Sequence, residues 1–235
     1  ASGKPIKVER LQESSNSSAA VIKSLVDKGI FEFYFIQTDR INFNGNSSNL
    51  KELTEHQEAA YKAIKVTFKT KQTTLLKGST SSRKKEIYVK LSKELLKGKK
   101  QVLYLLPEIA LTTQLIDRLQ YYFGEYLSVF HSKYSMNERV EVWNNVLENK
   151  QKAQLILGAR SSMFLPFSNL GLIIVDEEHE PSFKQYDPAP RYHARDAAIV
   201  LANEHKAKVL LGSATPGIET YYNAQQGKYG LVELN

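Results

Sequence analysis

Residues 171–179 read Gly171-Leu172-Ile173-Ile174-Val175-Asp176-Glu177-Glu178-His179, "GLIIVDEEH". Leu172 to Val175 are apolar without alternation, so neither face of the segment is left for water. A strand buried on both faces belongs inside a parallel sheet with helices above and below. The run then stops on two adjacent carboxylates. At the end of a buried strand, Asp176 and Glu177 suit a nucleoside triphosphatase: one carboxylate holds Mg²⁺ through water, the next orients and deprotonates the attacking water. The plainer reading is an acidic helix start whose carboxylates satisfy orphan amides. The surrounding sequence decides between the two.

Outward from this stretch, similar short apolar runs recur: "TTLLKG" from Thr73, "QVLYLLP" from Gln101, "LSVFHS" from Leu127, "AQLILGA" from Ala153 and "KVLLGSA" from Lys208. Helical patterns are expected from near Arg83, Ile109, Asn137, His193 and Gly217. A further helix, "TEHQEAAYKAIKVTFK", opens on Thr54 with Gln57 three residues on, a capping-box pattern. Strands alternating with helices give an α/β fold with a doubly wound, mostly parallel sheet. Such sheets bind ligands beyond the carboxyl ends of their strands. Four strand ends carry polar or special residues: the Gly78 loop, "PEIALTTQ" at 107–114, "DEEHE", and "GSATPG" at 212–217.

The first of these, Gly78-Ser79-Thr80-Ser81-Ser82-Arg83-Lys84-Lys85, approaches a phosphate-binding loop, Gly-x4-Gly-Lys-Ser/Thr. Gly78 and Lys84 fit. Arg83 stands where the second glycine lets the backbone approach the phosphates, and Lys85 where a hydroxyl would bind Mg²⁺. Three adjacent cations at a helix start still attract anions. Alone the stretch fails the phosphate-loop pattern and reads as a lysine-rich turn. In "GSATP", Ser213 and Thr215 can hydrogen-bond to the acidic motif, or simply form a Ser/Thr turn before Pro216.

The chain has 235 residues, 42% apolar and 24% charged, with no cysteine. Disulfides and thiolate metal sites are excluded within it, and no histidine spacing suggests zinc. No run approaches the ~18 apolar residues of a membrane helix. Net charge is +7, with a lysine-rich excess between Lys62 and Lys100, which suits a polyanion partner, nucleic acid first, and on charge alone equally a solvated lysine-rich surface. Residues 1–45 form a separate block: a Ser-rich helix start, a stop at Gly29 and the alternating "IFEFYFI", the helix–turn–strand of a partial winged helix. A polar linker occupies 46–53, and the α/β domain 54–235.

Taken together and in order, "GSTSSRKKEIY", "LPEIALTTQ", "FHS", "GARSSMFLPFSNLGLIIVDEEHEPSFKQ", "PRYHARDAAI" and "GSATPGIET" resemble superfamily 2 helicases of the DEAD/DEAH type. The match is closer to the replication-restart family of primosomal protein N′. The resemblance runs from about residue 51 to the end, and less specifically through 4–45. It implies a RecA-like first motor lobe, ATP and Mg²⁺ as cofactors, and a partner lobe and zinc region elsewhere in the protein. It implies Asp176 as the water-mediated Mg²⁺ partner, Glu177 as general base, and His179 as a coupler between nucleotide and DNA. Ser213 and Thr215 would link hydrolysis to motion, and Gln57 would read the adenine edge. The loop Gly78, Ser79, Thr80, Ser81, Ser82, Arg83, Lys84 and Lys85 would hold the phosphates, with Lys84 as the phosphate lysine.

In "SFKQYDPAPRYHARD", Phe183, Lys184, Tyr186, Arg191 and Tyr192 alternate aromatic and cationic side chains. That suits single-stranded DNA, where stacking contributes ~1–3 kcal/mol per base; otherwise the aromatics pack on the domain. Arg160, Ser161, Ser162 and "PEIALTTQ" are expected on the DNA backbone, and His131–Ser132 by family position alone. Expected partners are single-stranded and forked DNA, primosome and replication-restart proteins, and single-stranded-DNA-binding protein. The expected state is a monomer in the bacterial cytoplasm, associated with the nucleoid. Two readings compete. One is an ATP-dependent helicase lobe that is inactive alone. The other, motivated by Arg83 and Lys85, is a non-hydrolysing DNA- or fork-binding adaptor that keeps the fold. A nuclease motor subunit is a third class with no motif here to support it.

Overall fold

A computed structural model describes residues 8–31, 52–79, 81–131 and 134–234, with the backbone alone at Glu9, Ser81, Ser82 and Arg83. The chain divides into two units, Ala1–Asp39 and Arg40–Asn235. The first contains α1 (Val8–Ser15) and α2 (Ala19–Asp27). Ser18 takes the extended N-cap conformation, although its side chain makes no cap bond. The expected stop is at Gly29, whose φ of +70° is open to glycine at little cost. The expected strand over 30–36, beyond Ile30 and Phe31, lies outside the described residues. So does most of the linker.

Among the described residues the second unit is built on seven strands: β1 (Thr73–Gly78), β2 (Gln101–Leu105), β3 (Leu127–Phe130), β4 (Leu155–Gly158), β5 (Leu170–Asp176), β6 (Lys208–Ser213) and β7 (Gly230–Leu234). Their order across the sheet is β3-β4-β2-β5-β6-β1-β7. Every pairing is parallel. The helices are α3 (Glu55–Thr70), α4 (Ser81–Lys97), α5 (Thr113–Phe123), α6 (Met136–Leu147), α7 (Ala194–Glu204) and α8 (Ile218–Gln225).

The sheet is doubly wound, and its two cores show how. On one face Leu76, Leu172 and Ile174 pack with Ile64 of α3, Ile87 of α4 and Leu119 of α5. On the other, Leu75, Ile173 and Val175 pack with Val142 of α6, Ala198 of α7 and Ala224 of α8. Successive residues of β5 therefore face opposite layers, and Leu172 to Val175 are all fully buried. Each such side chain contributes about 1.5–3 kcal/mol of burial.

Helix starts follow their caps. At α3 the capping box is complete: the Gln57 amide donates to Thr54 Oγ1 at 3.4 Å, and the Thr54 amide donates to Gln57 Oε1 at 2.8 Å. The helix expected near Ile109 begins instead at Thr113. Glu108–Ala110 form a single 3₁₀ turn, and Thr112 caps α5 by accepting from the Leu115 amide at 3.3 Å. β7 was not among the expected strands. Its burial alternates, as suits an edge, so it lacks the continuous apolar run that marks the inner strands. Among the described residues, no helix is long and apolar enough to cross a membrane.

Candidate active site

The adjacency of β5, β6 and β1 brings three of the four polar strand ends side by side. Asp176 is level with Gly212, and Lys77 with Ser213. Asp176 is 1% exposed. Its Oδ1 accepts from Tyr88 Oη and its Oδ2 from Tyr104 Oη, both at 3.2 Å. The Glu177 amide donates to Oδ1, also at 3.2 Å. The two rings meet edge to face at 5.6 Å. Burial, then the charge of Glu177, pushes the Asp176 carboxyl up to about 6. Burial likewise raises both tyrosine hydroxyls well above their ordinary range, so they remain donors.

Gly212 makes this arrangement possible. A Cβ there would lie 1.8 Å from Tyr88 Oη. No sequence motif marks either tyrosine or Gly212 as a site residue. In sequence they are ordinary core aromatics and a strand glycine.

At Glu177 the chain turns sharply, with φ of +51°, a conformation uncommon outside glycine. Successive side chains then point to different places. Glu177 faces the loop after β1, with Oε1 3.8 Å from Lys84 Nζ. Lys84 is fully buried, and its ammonium donates to the Gly78 carbonyl at 3.3 Å. His179 Nδ1 lies 2.7 Å from Ser213 Oγ and 3.9 Å from Glu177 Oε2, and its Nε2 lies 3.4 Å from Thr215 Oγ1. Ser213 Oγ accepts from the Thr215 amide at 3.1 Å. Asp176, Glu177, His179, Lys84, Ser213 and Thr215 thus converge. Ser79 is exposed, and Lys85 is half-buried. Thr80 and the side chains of Ser81, Ser82 and Arg83 lie outside what is described.

The fit to Mg²⁺ can be judged from the donors. Asp176 is enclosed by two hydroxyls and an amide, and Lys85 stands at the position that would offer a hydroxyl. No group of three or more His, Cys, Asp or Glu among the described residues could hold a metal ion. The set suits a hydrated ion held through water and by phosphate oxygens, not one ligated directly by the protein.

Gln57 is buried and its Oε1 is committed to the α3 cap. An adenine contact through that oxygen would first have to break the cap.

The expected DNA-facing residues separate into anchors and exposed groups. Phe183 is a correction. It is 1% exposed and packs in the core beneath α7, so it anchors the loop and offers no face to a base. Arg160 Nη1 donates to the carbonyls of Ser182 at 3.3 Å and Lys184 at 2.9 Å, and Lys184 Nζ donates to the Arg191 carbonyl at 3.3 Å. Gln185 Nε2 donates to the Pro188 and Pro190 carbonyls at 2.8 and 3.0 Å. Tyr192 packs edge to face on Phe164 at 5.2 Å. Ser162 is buried, its hydroxyl donating to the Phe130 carbonyl at 3.2 Å. Left exposed on this pinned loop are Tyr186, at 68%, and Arg191, with Ser161 and Phe164 nearby. Phe164 was not anticipated. A 160 Å³ cleft lies between Leu106–Glu108, Arg160 and Ser182–Phe183. His131 stacks at 4.8 Å on Tyr134, and Ser132 lies outside the described residues.

Comparison with known proteins follows the same lines. Residues 54–224 match the family model described as DEAD/DEAH box helicase. The chain is 38% identical over 237 residues to the replication restart protein PriA of Bacillus subtilis (strain 168), covering 99% of this chain and 29% of that protein. It is 40% identical over 234 residues to its counterpart in Haemophilus influenzae, covering 96% and 32%. It therefore spans about a third of the length of these relatives. Among solved structures it resembles RecG bound to a three-way DNA junction, with TM-score 0.56 and 16% identity over 92% of this chain and 25% of that one. It also resembles the DUF1998 helicase MrfA bound to DNA, with TM-score 0.54 and 15% identity over 98% and 30%. These two likenesses concern the fold alone.

Proposed function

Because this chain belongs to the DEAD/DEAH box helicase family, we propose that it is the first motor lobe of an ATP-driven DNA helicase acting in replication restart. Residues 1–45 would be the end of a winged-helix segment ahead of it. The observation that supports this best is the meeting of Lys84, in the first turn of α4 after β1, with Glu177 and the His179–Ser213–Thr215 group at the carboxyl ends of β5 and β6.

In this reading Lys84 exchanges its Gly78 carbonyl for a phosphate oxygen. Glu177, released from the lysine, takes the proton of the attacking water. His179 sits between Glu177 and the hydroxyls of Ser213 and Thr215, so a change at the carboxylate is felt on the segment after β6. Asp176, held by Tyr88 and Tyr104, would keep a hydrated Mg²⁺ in place through water. That ion would neutralise charge on the phosphates. Tyr186, Arg191, Ser161 and Phe164 offer the surface for single-stranded DNA. Forked DNA, primosome proteins and single-stranded-DNA-binding protein are the proposed partners, in the bacterial cytoplasm.

The test is ATP hydrolysis with and without single-stranded DNA. The full-length protein is expected to show DNA-stimulated turnover, and the 235-residue chain alone little or none. Strong stimulation in the isolated chain would show that the lobe needs no partner. The adaptor reading is favoured by Arg83 and Lys85. It requires fork binding indifferent to ATP and Mg²⁺ in the full-length protein, and any nucleotide-dependent change in DNA affinity excludes it.

A further inference from the structure

Glu178 lies between the proposed base and the proposed coupler, yet its side chain serves neither. Its own amide donates to the Gly212 carbonyl at 3.1 Å, fixing it against β6. The carboxylate is fully buried, and its partners lie at the starts of α7 and α8, the helices of the second core layer. There it accepts three hydrogen bonds from two separate segments. Oε1 takes the Gly217 amide at 2.7 Å. Oε2 takes Thr220 Oγ1 at 2.8 Å and Arg195 Nη1 at 3.2 Å.

Those segments are informative. Gly217 and Thr220 open α8, directly after the Ser213–Thr215 turn. Arg195 opens α7, directly after the loop that exposes Tyr186 and Arg191. Arg195 is also buried, and its Nε holds Asp196 at 2.8 Å. The loop is short and pinned by Arg160, Gln185 and the Lys184–His193 bridge, so a pull on its exposed tip has little slack to absorb it. Its C-terminal exit is Arg195.

We propose that Glu178 is a positioning residue that couples the DNA-facing loop to the nucleotide site. Loop movement on DNA binding shifts Arg195, and Glu178 carries that shift to Glu177 and His179, its neighbours in the chain. The same carboxylate carries it to the start of α8. A charged, buried acceptor shared by two helix starts has few alternative arrangements, so it transmits displacement where a flexible surface pair would not.

This inference rests on the motor reading above, and the experiment separates the two. In the full-length protein, dissociation constants for single-stranded DNA are measured without and with a non-hydrolysable ATP analogue plus Mg²⁺. Both the chain as it stands and its Arg83→Gly, Lys85→Thr background are used. The ratio of the two constants is the coupling, about 5- to 150-fold in typical cases. Glu178→Gln is close in shape but loses the charge shared by Arg195 and Thr220. It is expected to bring the ratio at least about threefold closer to unity, with each ligand alone bound within about twofold of the unsubstituted protein. Thr220→Val should act in the same direction more weakly, and Arg195→Lys should retain part of the coupling. If Glu178→Gln does not fold, Thr220→Val and Arg195→Lys decide the question. An unchanged ratio overturns the positioning role, as does a loss of affinity for each ligand alone that leaves the ratio intact. A ratio of unity in the unsubstituted protein, in both backgrounds, removes the motor reading and this inference with it.

Discussion

The loops after β1 and β5 stand one strand apart and are held in opposite ways. After β5 three side chains are held by hydrogen bonds within the protein, Asp176 by two tyrosines and an amide, Glu178 by three donors and His179 by two hydroxyls, while Glu177 meets Lys84 and His179 at 3.8 and 3.9 Å. After β1, the buried Lys84 ammonium has a carbonyl at 3.3 Å and a carboxylate at 3.8 Å, both at the long end of useful contact. The acidic end is preorganised by the fold. In the proposed motor reading, a phosphate would improve on what the protein offers the basic end. Arg83 and Lys85 therefore act on the side that depends most on its ligand.

The largest break in this comparison should come from Glu177→Gln in the full-length protein. ATP turnover is expected to fall about 10²–10⁴-fold, the range for a lost general base, with nucleotide affinity little changed. Steady-state kinetics beside a binding titration would show it, and an unchanged rate would remove Glu177 from the chemistry. Next comes the basic side. Arg83→Gly with Lys85→Thr is expected to tighten Mg²⁺–ATP binding about tenfold to a hundredfold, by analogy with repaired metal shells. Isothermal titration reads this directly, and no gain would mean the loop tolerates both residues.

A third test uses protons. The Asp176 carboxyl titrates near 6 in the fold against an unfolded value of 3.8. The folded state therefore binds the proton more tightly. That contribution to stability is full below the unfolded value and is lost as pH rises through about 6. At pH 7.5 the buried charge is a cost, so Asp176→Asn should stabilise the nucleotide-free protein by about 1–3 kcal/mol while abolishing turnover. The gain should shrink toward pH 4, and a gain that ignores pH would contradict the assigned cause. The smallest effect concerns packing behind the acid. Gly212→Ala should destabilise by about 1–3 kcal/mol, because the new methyl meets the Tyr88 hydroxyl. Tyr88→Phe in the same chain should restore part of it, and thermal unfolding of the four combinations measures the coupling.

What the chain discloses before folding follows from physical locality. β1, β2, β4, β5 and β6 are legible because burial on both faces demands uninterrupted apolar runs. The α3 start is legible because Thr54 and Gln57 satisfy each other within a single turn. β7 escapes because an edge strand alternates like many surface segments. Phe183 looks like a DNA contact in the sequence because composition cannot tell an exposed ring from an anchoring one. The roles of Tyr88, Tyr104, Glu178 and Arg195 arise only when distant segments meet. Nothing within a few residues of Glu178 shows that its carboxylate turns away from that of Glu177, since the turn lies in one positive φ.

The position of β1 in the sheet bears on how the protein comes into being. The strand that leads into the Gly78 loop is flanked by β6 and β7, with Thr73 aligned to Val209 and Thr74 to Gly230. During synthesis from the N-terminus, both partners of β1 emerge long after it, whereas β2, β3, β4 and β5 can already assemble with one another. Closure of the sheet around β1 is thus a late, high-contact-order event. Until then Leu75 and Leu76 lie on a strand with two unpaired edges, the condition under which parallel-sheet proteins are most exposed to aggregation. A nascent chain stalled before Lys208 would carry an intact acidic strand end and a β1 with nowhere to dock.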